Sequence, residues 1–109
     1  MRILLFTDLD GTLLNHTDYS WSEAEPALQR LRALGVPVVL VSSKTRAEIE
    51  ILQHEMGLEE PFVVENGGGI FVPERYEELE IPDSTIASPY RLRVLGRSYF
   101  EIRSFVENY

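Results

Sequence analysis

Three short strand-like runs, Ile3–Thr7, Val36–Val41 and Phe62–Glu65, lack the polar alternation of a half-exposed strand. Each suits a parallel strand buried on both faces. Two helical stretches separate them. Ser22-Glu23-Ala24-Glu25 reads as a capping box, with Trp21 before it and Pro26 in the tolerant first turn. That helix places Leu28, Leu31 and Leu34 on one face and stops at Gly35. Thr45-Arg46-Ala47-Glu48 is a second capping box, opening a helix with Ile49, Leu52 and Met56 inward and Gly57 as its stop. Strand, helix, strand, helix, strand demands right-handed crossovers and a parallel sheet flanked by helices, an α/β fold.

After the third strand, Asn66-Gly67-Gly68-Gly69 forms a turn and Ile70–Val72 a returning strand. Glu74–Pro89 is acidic, holds two prolines and is expected to be loop. Tyr90–Leu95 alternates Arg91 and Arg93 with Leu92 and Val94, as a half-exposed strand does. Tyr99–Tyr109 reads as a short amphipathic helix with Ile102, Phe105 and Val106 inward.

Composition narrows the function classes. A net charge of −8 disfavours nucleic acid as a partner. Its distribution matters more than its sum: Glu48 to Glu80 carries ten glutamates and one base, Arg75, while the remainder is close to neutral. A phosphate-handling site outside that stretch therefore meets no electrostatic objection. There is no cysteine, so disulfides and thiolate metal sites are excluded and a cytoplasmic setting is expected. No apolar run approaches the ~20 residues that a membrane span needs, so no membrane partner is expected. His16 and His54 are isolated and lack metal-ligand spacing.

Ligands of open parallel sheets bind beyond the carboxyl ends of the strands. Asp8 and Asp10 follow the first strand, Ser42 and Lys44 the second, and Asn66 with its glycines the third. In an Asp-x-Asp pair one carboxylate can attack phosphorus while binding a divalent cation. The other can protonate the leaving oxygen and later deprotonate water. Gly11 permits a sharp turn at which N–H groups can face an anion. Ser42 suits a hydrogen bond to a phosphoryl oxygen, and Lys44 adds positive charge. Each also has a plainer reading: a turn aspartate, a strand-end cap, an exposed lysine, a hairpin of glycines. Arg91 and Arg93 are most simply a solvated strand face, and the glutamate-rich stretch a solvated surface.

Asp8-Leu9-Asp10-Gly11-Thr12-Leu13-Leu14 resembles the first motif of the haloacid dehalogenase (HAD) superfamily of phosphotransferases. Val38 to Arg46, with Ser42 closing the second strand, is similar to its second motif. Ser43 to Glu48, then Pro61 to Ile70, and the later Arg93 to Tyr99, resemble the mannosyl-3-phosphoglycerate phosphatase branch. The resemblance implies a partial Rossmann-like, HAD-type core over residues 1–80 and the beginning of an α+β cap over 81–109. It implies that Asp8 is the nucleophile, forming an aspartyl-phosphate, and that Asp10 is the general acid/base. Asp8 would bind Mg2+ through its carboxylate and Asp10 through its backbone carbonyl. Leu9, Asp10, Ser42 and Lys44 would contact the phosphate, and Asn66 and Gly67 would lie beside a small-molecule phosphomonoester where core meets cap.

Family members also carry a third motif, a phosphate-binding lysine, and a fourth, an acidic pair around Gly-Asp. Nothing in this sequence matches either, and no Gly-Asp pair occurs in it. The expectation is a phosphatase portion that is inactive or very weak by itself. Two other classes fit parts of the pattern. A receiver-like signalling module would also use an aspartate and Mg2+, but its acceptor follows the third strand, where Glu65-Asn66-Gly67 stands. A non-catalytic half-sheet would expose an edge and apolar surface and self-associate, as a homodimer for instance.

Overall fold

The computed structural model describes residues 3–15, 17–18, 20–76, 81–96, 103–104 and 106–107. Its elements are β1 (Leu5–Thr7), α1 (Glu25–Ala33), β2 (Val38–Val41), α2 (Arg46–Met56), β3 (Phe62–Val64), β4 (Gly69–Pro73), β5 (Thr85–Ala87) and β6 (Tyr90–Val94). The strands form one six-stranded sheet in the order β1-β2-β3-β4-β6-β5. β1, β2 and β3 are parallel neighbours, and β4, β6 and β5 continue the sheet antiparallel. This is the α/β fold that the alternating elements demand.

The register puts Val38, Leu40, Phe62 and Phe71 on one face. Leu28 of α1 and Ile49 and Met56 of α2 join those residues in a single core with Leu9, Leu14 and Tyr90. Both helices therefore cover the same face, as two crossovers of the same hand between successive neighbours require. Phe6, Val39, Val72 and Ile86 alternate onto the other face, where Phe6 is 62% and Ile86 74% exposed. The first strand thus departs from expectation. It is an edge strand, and Ile3 to Phe6 are all exposed instead of buried on both faces. Apolar sequence without alternation reports a strand built for two covered faces, and among the described residues Leu5 on the helix-facing side and Phe6 on the other are both left exposed.

Other local expectations meet mixed outcomes. The Thr45 box is present in full: Thr45 accepts from the Glu48 N–H, Glu48 reaches back to Thr45, and Gly57 closes α2 at φ +71°. The Ser22 box is not formed. α1 begins at Glu25 with Ala24 as its N-cap, and no side chain caps it. Main-chain carbonyls take over, with Ala24 N–H donating to Trp21 O and Glu25 N–H to Ser22 O. The Ser22 hydroxyl instead accepts from Ser20 Oγ at 3.0 Å. Leu34, expected inward, is the C-cap residue and is 66% exposed, because the chain is already turning toward β2.

Residues 74–89 are not all loop. Thr85–Ala87 pairs with β6 across the turn Ser88-Pro89, and Pro89 falls in that turn, where its missing N–H interrupts no ladder. Most of the expected helix at 99–109 lies outside the described residues, Ile102 and Phe105 included, as do His16 and Arg97 to Tyr99. Arg103, Ser104, Val106 and Glu107 are helical, but Val106 is 65% exposed and not inward, no described element packing over it.

Candidate functional site

The carboxyl ends of β1, β2 and β3 lie side by side because the three strands are parallel and adjacent. At the first end, Leu9 sinks its side chain completely into the core and leaves Asp8 and Asp10 exposed on either side. Alternation about a buried anchor is what sends both carboxylates to the outside. A contact from Leu9 to any ligand is left to its main chain. The turn then closes on itself: Gly11, at φ +79°, donates its N–H to Leu14 O at 2.9 Å, and Thr12 donates to Leu9 O at 3.2 Å. Gly11 thus makes the sharp turn that its position suggests, but its N–H points into the turn and not toward an anion.

At the second end, Ser42 is 7% exposed, and its Oγ accepts the Lys44 N–H at 3.1 Å. That bond uses an oxygen lone pair and leaves the hydroxyl hydrogen to donate outward. Lys44 turns back across the sheet edge, placing Nζ 3.5 Å from Asp10 Oδ1 and 3.9 Å from Glu48 Oε2. Asp10 keeps 45% of its side-chain exposure, so the pair orients the two groups and adds only about 0–1 kcal/mol of stability.

At the third end the chain makes an unusual bend. Glu65, Asn66 and Gly67 have φ of +49°, +55° and +99° in succession. Two non-glycine residues in the left-handed region are held there by the second strand end: Glu65 N–H donates to Lys44 O at 3.1 Å, and Asn66 N–H to Ser42 O at 2.9 Å. All six polar candidates, Asp8, Asp10, Ser42, Lys44, Asn66 and Gly67, thus occupy one edge of the sheet. The Glu65 and Asn66 bonds that fasten this edge carry no sequence signal beyond the glycine run. A cavity of about 450 Å³ lies next to the Asp8–Asp10 turn, lined by Thr12, Asn15, Ser20 and Glu23 among others, and does not include the carboxylates.

The Asp8 carboxylate and the Asp10 main-chain carbonyl are hard oxygen donors of the kind Mg2+ takes, and Mg2+ is ordinarily held by one or two carboxylates, waters and substrate phosphate. The donor chemistry therefore fits, as part of a site. Among the described residues no group of three or more His, Cys, Asp or Glu side chains converges to complete it. No helix among them is long and apolar enough to cross a membrane.

An Asp-x-Asp turn after the first of three parallel strands and a serine after the second thus share one end of an α/β sheet. The chain belongs to the haloacid dehalogenase-like hydrolases, whose sequence profile matches residues 5–89. It is 50% identical over 105 residues to a glucosyl-3-phosphoglycerate/mannosyl-3-phosphoglycerate phosphatase of Persephonella marina, covering 96% of this chain and 39% of that protein. A phosphatase of the same description from Methanococcoides burtonii is 41% identical over 108 residues, covering 99% of this chain and 40% of the relative. The chain thus spans about two fifths of the length of these curated relatives. Among solved structures, Thermoplasma acidophilum 0175 aligns at a TM-score of 0.59 and 26% identity, over 66% of this chain and 32% of that one. A hypothetical protein of Geobacillus kaustophilus HTA426 aligns at 0.64 and 22% identity, over 99% of this chain and 36% of its own, and shares the fold.

Proposed function

We propose that the chain supplies the nucleophile-bearing part of a Mg2+-dependent phosphomonoester hydrolase of the cytoplasm, acting on a sugar phosphate such as mannosyl-3-phosphoglycerate. The observation that carries this reading is the meeting of Asp10 and Lys44 at 3.5 Å, beside Ser42 and the Asn66 turn, at one sheet edge. The substrate class rests on what the Persephonella and Methanococcoides relatives are called. Residues 1–80 form the core part and 81–109 open the cap.

In this mechanism an Asp8 oxygen attacks phosphorus, the P–O bond to the sugar breaks, and Asp10 gives its proton to the departing oxygen. The phosphoryl group then rests on Asp8 as an acyl phosphate. Asp10, now a carboxylate, takes a proton from water; the water oxygen bonds to phosphorus as the bond from phosphorus to the Asp8 oxygen breaks, and inorganic phosphate leaves with Asp8 restored as a carboxylate. Ser42 donates its hydroxyl hydrogen to a phosphoryl oxygen, Lys44 and the Leu9 main chain hold others, and Asn66 and Gly67 border the sugar. The Asp8 carboxylate and the Asp10 main-chain carbonyl would hold Mg2+, whose charge would reduce the repulsion between the carboxylate and the phosphate dianion.

Electrostatic stabilisation of the transferring group is usually the largest catalytic contribution. Here Lys44 supplies positive charge while the charge of the two carboxylates opposes that of the phosphate, so a polypeptide of these 109 residues turns over slowly or not at all. β1, the outermost strand, suits a further strand added at its edge, with a cover for its exposed side chains, or a second copy pairing as a homodimer. The test is hydrolysis of an aryl phosphate with Mg2+ by the 109-residue protein. Turnover typical of an intact phosphatase would contradict this reading, and weak turnover lost in Asp8→Asn supports it. Formation of a stable acyl phosphate from acetyl phosphate, without ester hydrolysis, would favour a receiver-like module instead.

A further inference from the structure

The first residue of α2 makes contacts that a helix start does not need. Arg46 Nε donates to Glu50 Oε1 at 2.8 Å, one turn along the same helix. The other oxygen of that carboxylate, Oε2, accepts the hydroxyl of Tyr90 at 3.0 Å, forty residues away on β6. The guanidinium carbon lies 4.8 Å from the centre of the Tyr90 ring and 5.3 Å from that of Phe71 on β4. Phe71 stacks on Phe62 of β3 at 5.2 Å, and Tyr90 meets both rings edge to face at 5.4 Å. One cation, one carboxylate and three rings thus join the start of α2 to three strands of the sheet.

The placement of this cluster gives it a consequence. Arg46 is two residues beyond Lys44 and directly follows Thr45, the cap of α2. β6 is also fastened to the same end of the sheet by its other terminus. Leu95 N–H donates to Gly68 O at 3.0 Å, and Gly68 belongs to the turn whose Glu65 and Asn66 hold Lys44 and Ser42. The segment from Ser42 to Thr45 is therefore gripped from two sides, by main-chain bonds through the Glu65–Gly68 turn and by side chains through Arg46.

We propose that Arg46 is a positioning residue that carries the placement of β6 into the Ser42–Thr45 segment and so sets the reach of Lys44 to Asp10. It touches neither. Arg46 acts by fixing the azimuth of the first turn of α2, and Lys44 stands immediately before the Thr45 cap of that turn. The chemistry favours arginine specifically. A planar, delocalised cation can lie against two rings while one edge N–H holds the carboxylate. A lysine ammonium in the same place keeps the charge and loses the planar contact. The Tyr90 phenol is the remote end of the device, and its removal alone is expected to be felt at Lys44. The inference rests on Lys44 and Asp10 being site residues only for its importance to function, because its content is geometric and is measurable without any ligand.

The experiment compares the labelled 109-residue protein with Tyr90→Phe, Arg46→Lys and Arg46→Ala by NMR, with no substrate or metal added. Tyr90→Phe keeps the ring and deletes one hydroxyl, so it tests the device even where Arg46→Ala does not fold. The expected result is displacement of the Lys44 and Thr45 amide signals and of the Lys44 side-chain ammonium signal in every folded variant. Amide exchange at Glu48 and Ile49 should speed up about tenfold, and Arg46→Lys should fail to restore the wild-type positions. A purely structural role gives a different pattern: a lower Tm with Lys44 signals unmoved and shifts confined to residues touching positions 46, 50, 71 and 90. That pattern, or full rescue by Arg46→Lys, overturns the proposal. Failure of the hydrolase reading leaves these signals untouched, so the two can be told apart.

Discussion

The main-chain N–H of Asn66 donates to the carbonyl of Ser42 at 2.9 Å, tying the end of β3 to the end of β2 while Asn66 sits at φ +55°. Asparagine tolerates the left-handed region better than most residues, and a β-branched side chain does not. Asn66→Gly should leave stability nearly unchanged. Asn66→Val should cost about 1–2 kcal/mol, the usual penalty for forcing such a residue left-handed. Urea unfolding with an unchanged m-value is the check, and equal midpoints for the two variants would mean that the bend relaxes freely.

The two candidate helix starts make a paired prediction. Thr45 caps α2 through both arms of its box, so Thr45→Ala should lower stability by about 1 kcal/mol and Thr45→Ser should restore most of it. Ser22 does not cap α1, whose N-cap is Ala24. Ser22→Ala should therefore change stability by about 0.5 kcal/mol at most, the range of an ordinary surface substitution. Thermal unfolding of both alanine variants side by side measures the contrast.

Stability should fall at both ends of the pH range, for opposite reasons. The Thr45 N–H and hydroxyl hold the Glu48 carboxyl below its ordinary value of 4.5, with Lys44 adding to the effect. A lowered carboxyl stabilises the folded chain above that value, and the contribution is lost as pH falls through the folded pKa. Burial, with Glu50 as hydrogen-bond acceptor and nearby charge, pushes the Tyr90 phenol above its ordinary 10.0. Its contribution is complete below pH 10.0 and declines as pH rises past it, because the folded state holds the proton longer. Spectrophotometric titration should show the Tyr90 phenol ionising above the ordinary phenol value, and Glu50→Gln should bring it back down.

Much of the candidate site's placement is legible in the sequence because it sits where chain and sheet geometry agree. Asp8, Ser42 and Asn66 each close an apolar run, and parallel adjacency then brings three separate places in the sequence to one edge. The Thr45 cap was legible for the same reason, since both halves of its box are local. Ser22 carries the same local pattern, yet turn carbonyls reach the helix N–H groups first, and a pattern confined to four residues holds no record of that competition. β1 misled differently. Its sequence registers the cover it is built to receive, while its exposure depends on what lies beside it in space. Arg46, Glu50 and Tyr90 were not found together because their contact spans forty-four residues and no periodicity links them.

The central claim is that Asp8 accepts the phosphoryl group. The most direct measurement replaces the matching front portion of the Persephonella marina phosphatase with this chain. The chimera is mixed with mannosyl-3-phosphoglycerate and Mg2+, quenched in acid, and its phosphopeptides are mapped by mass spectrometry. The phosphate should sit on Asp8, and Asp8→Asn should abolish both the label and turnover. A label on any other residue, or an Asp8→Asn chimera that turns over at the unsubstituted rate, would contradict it.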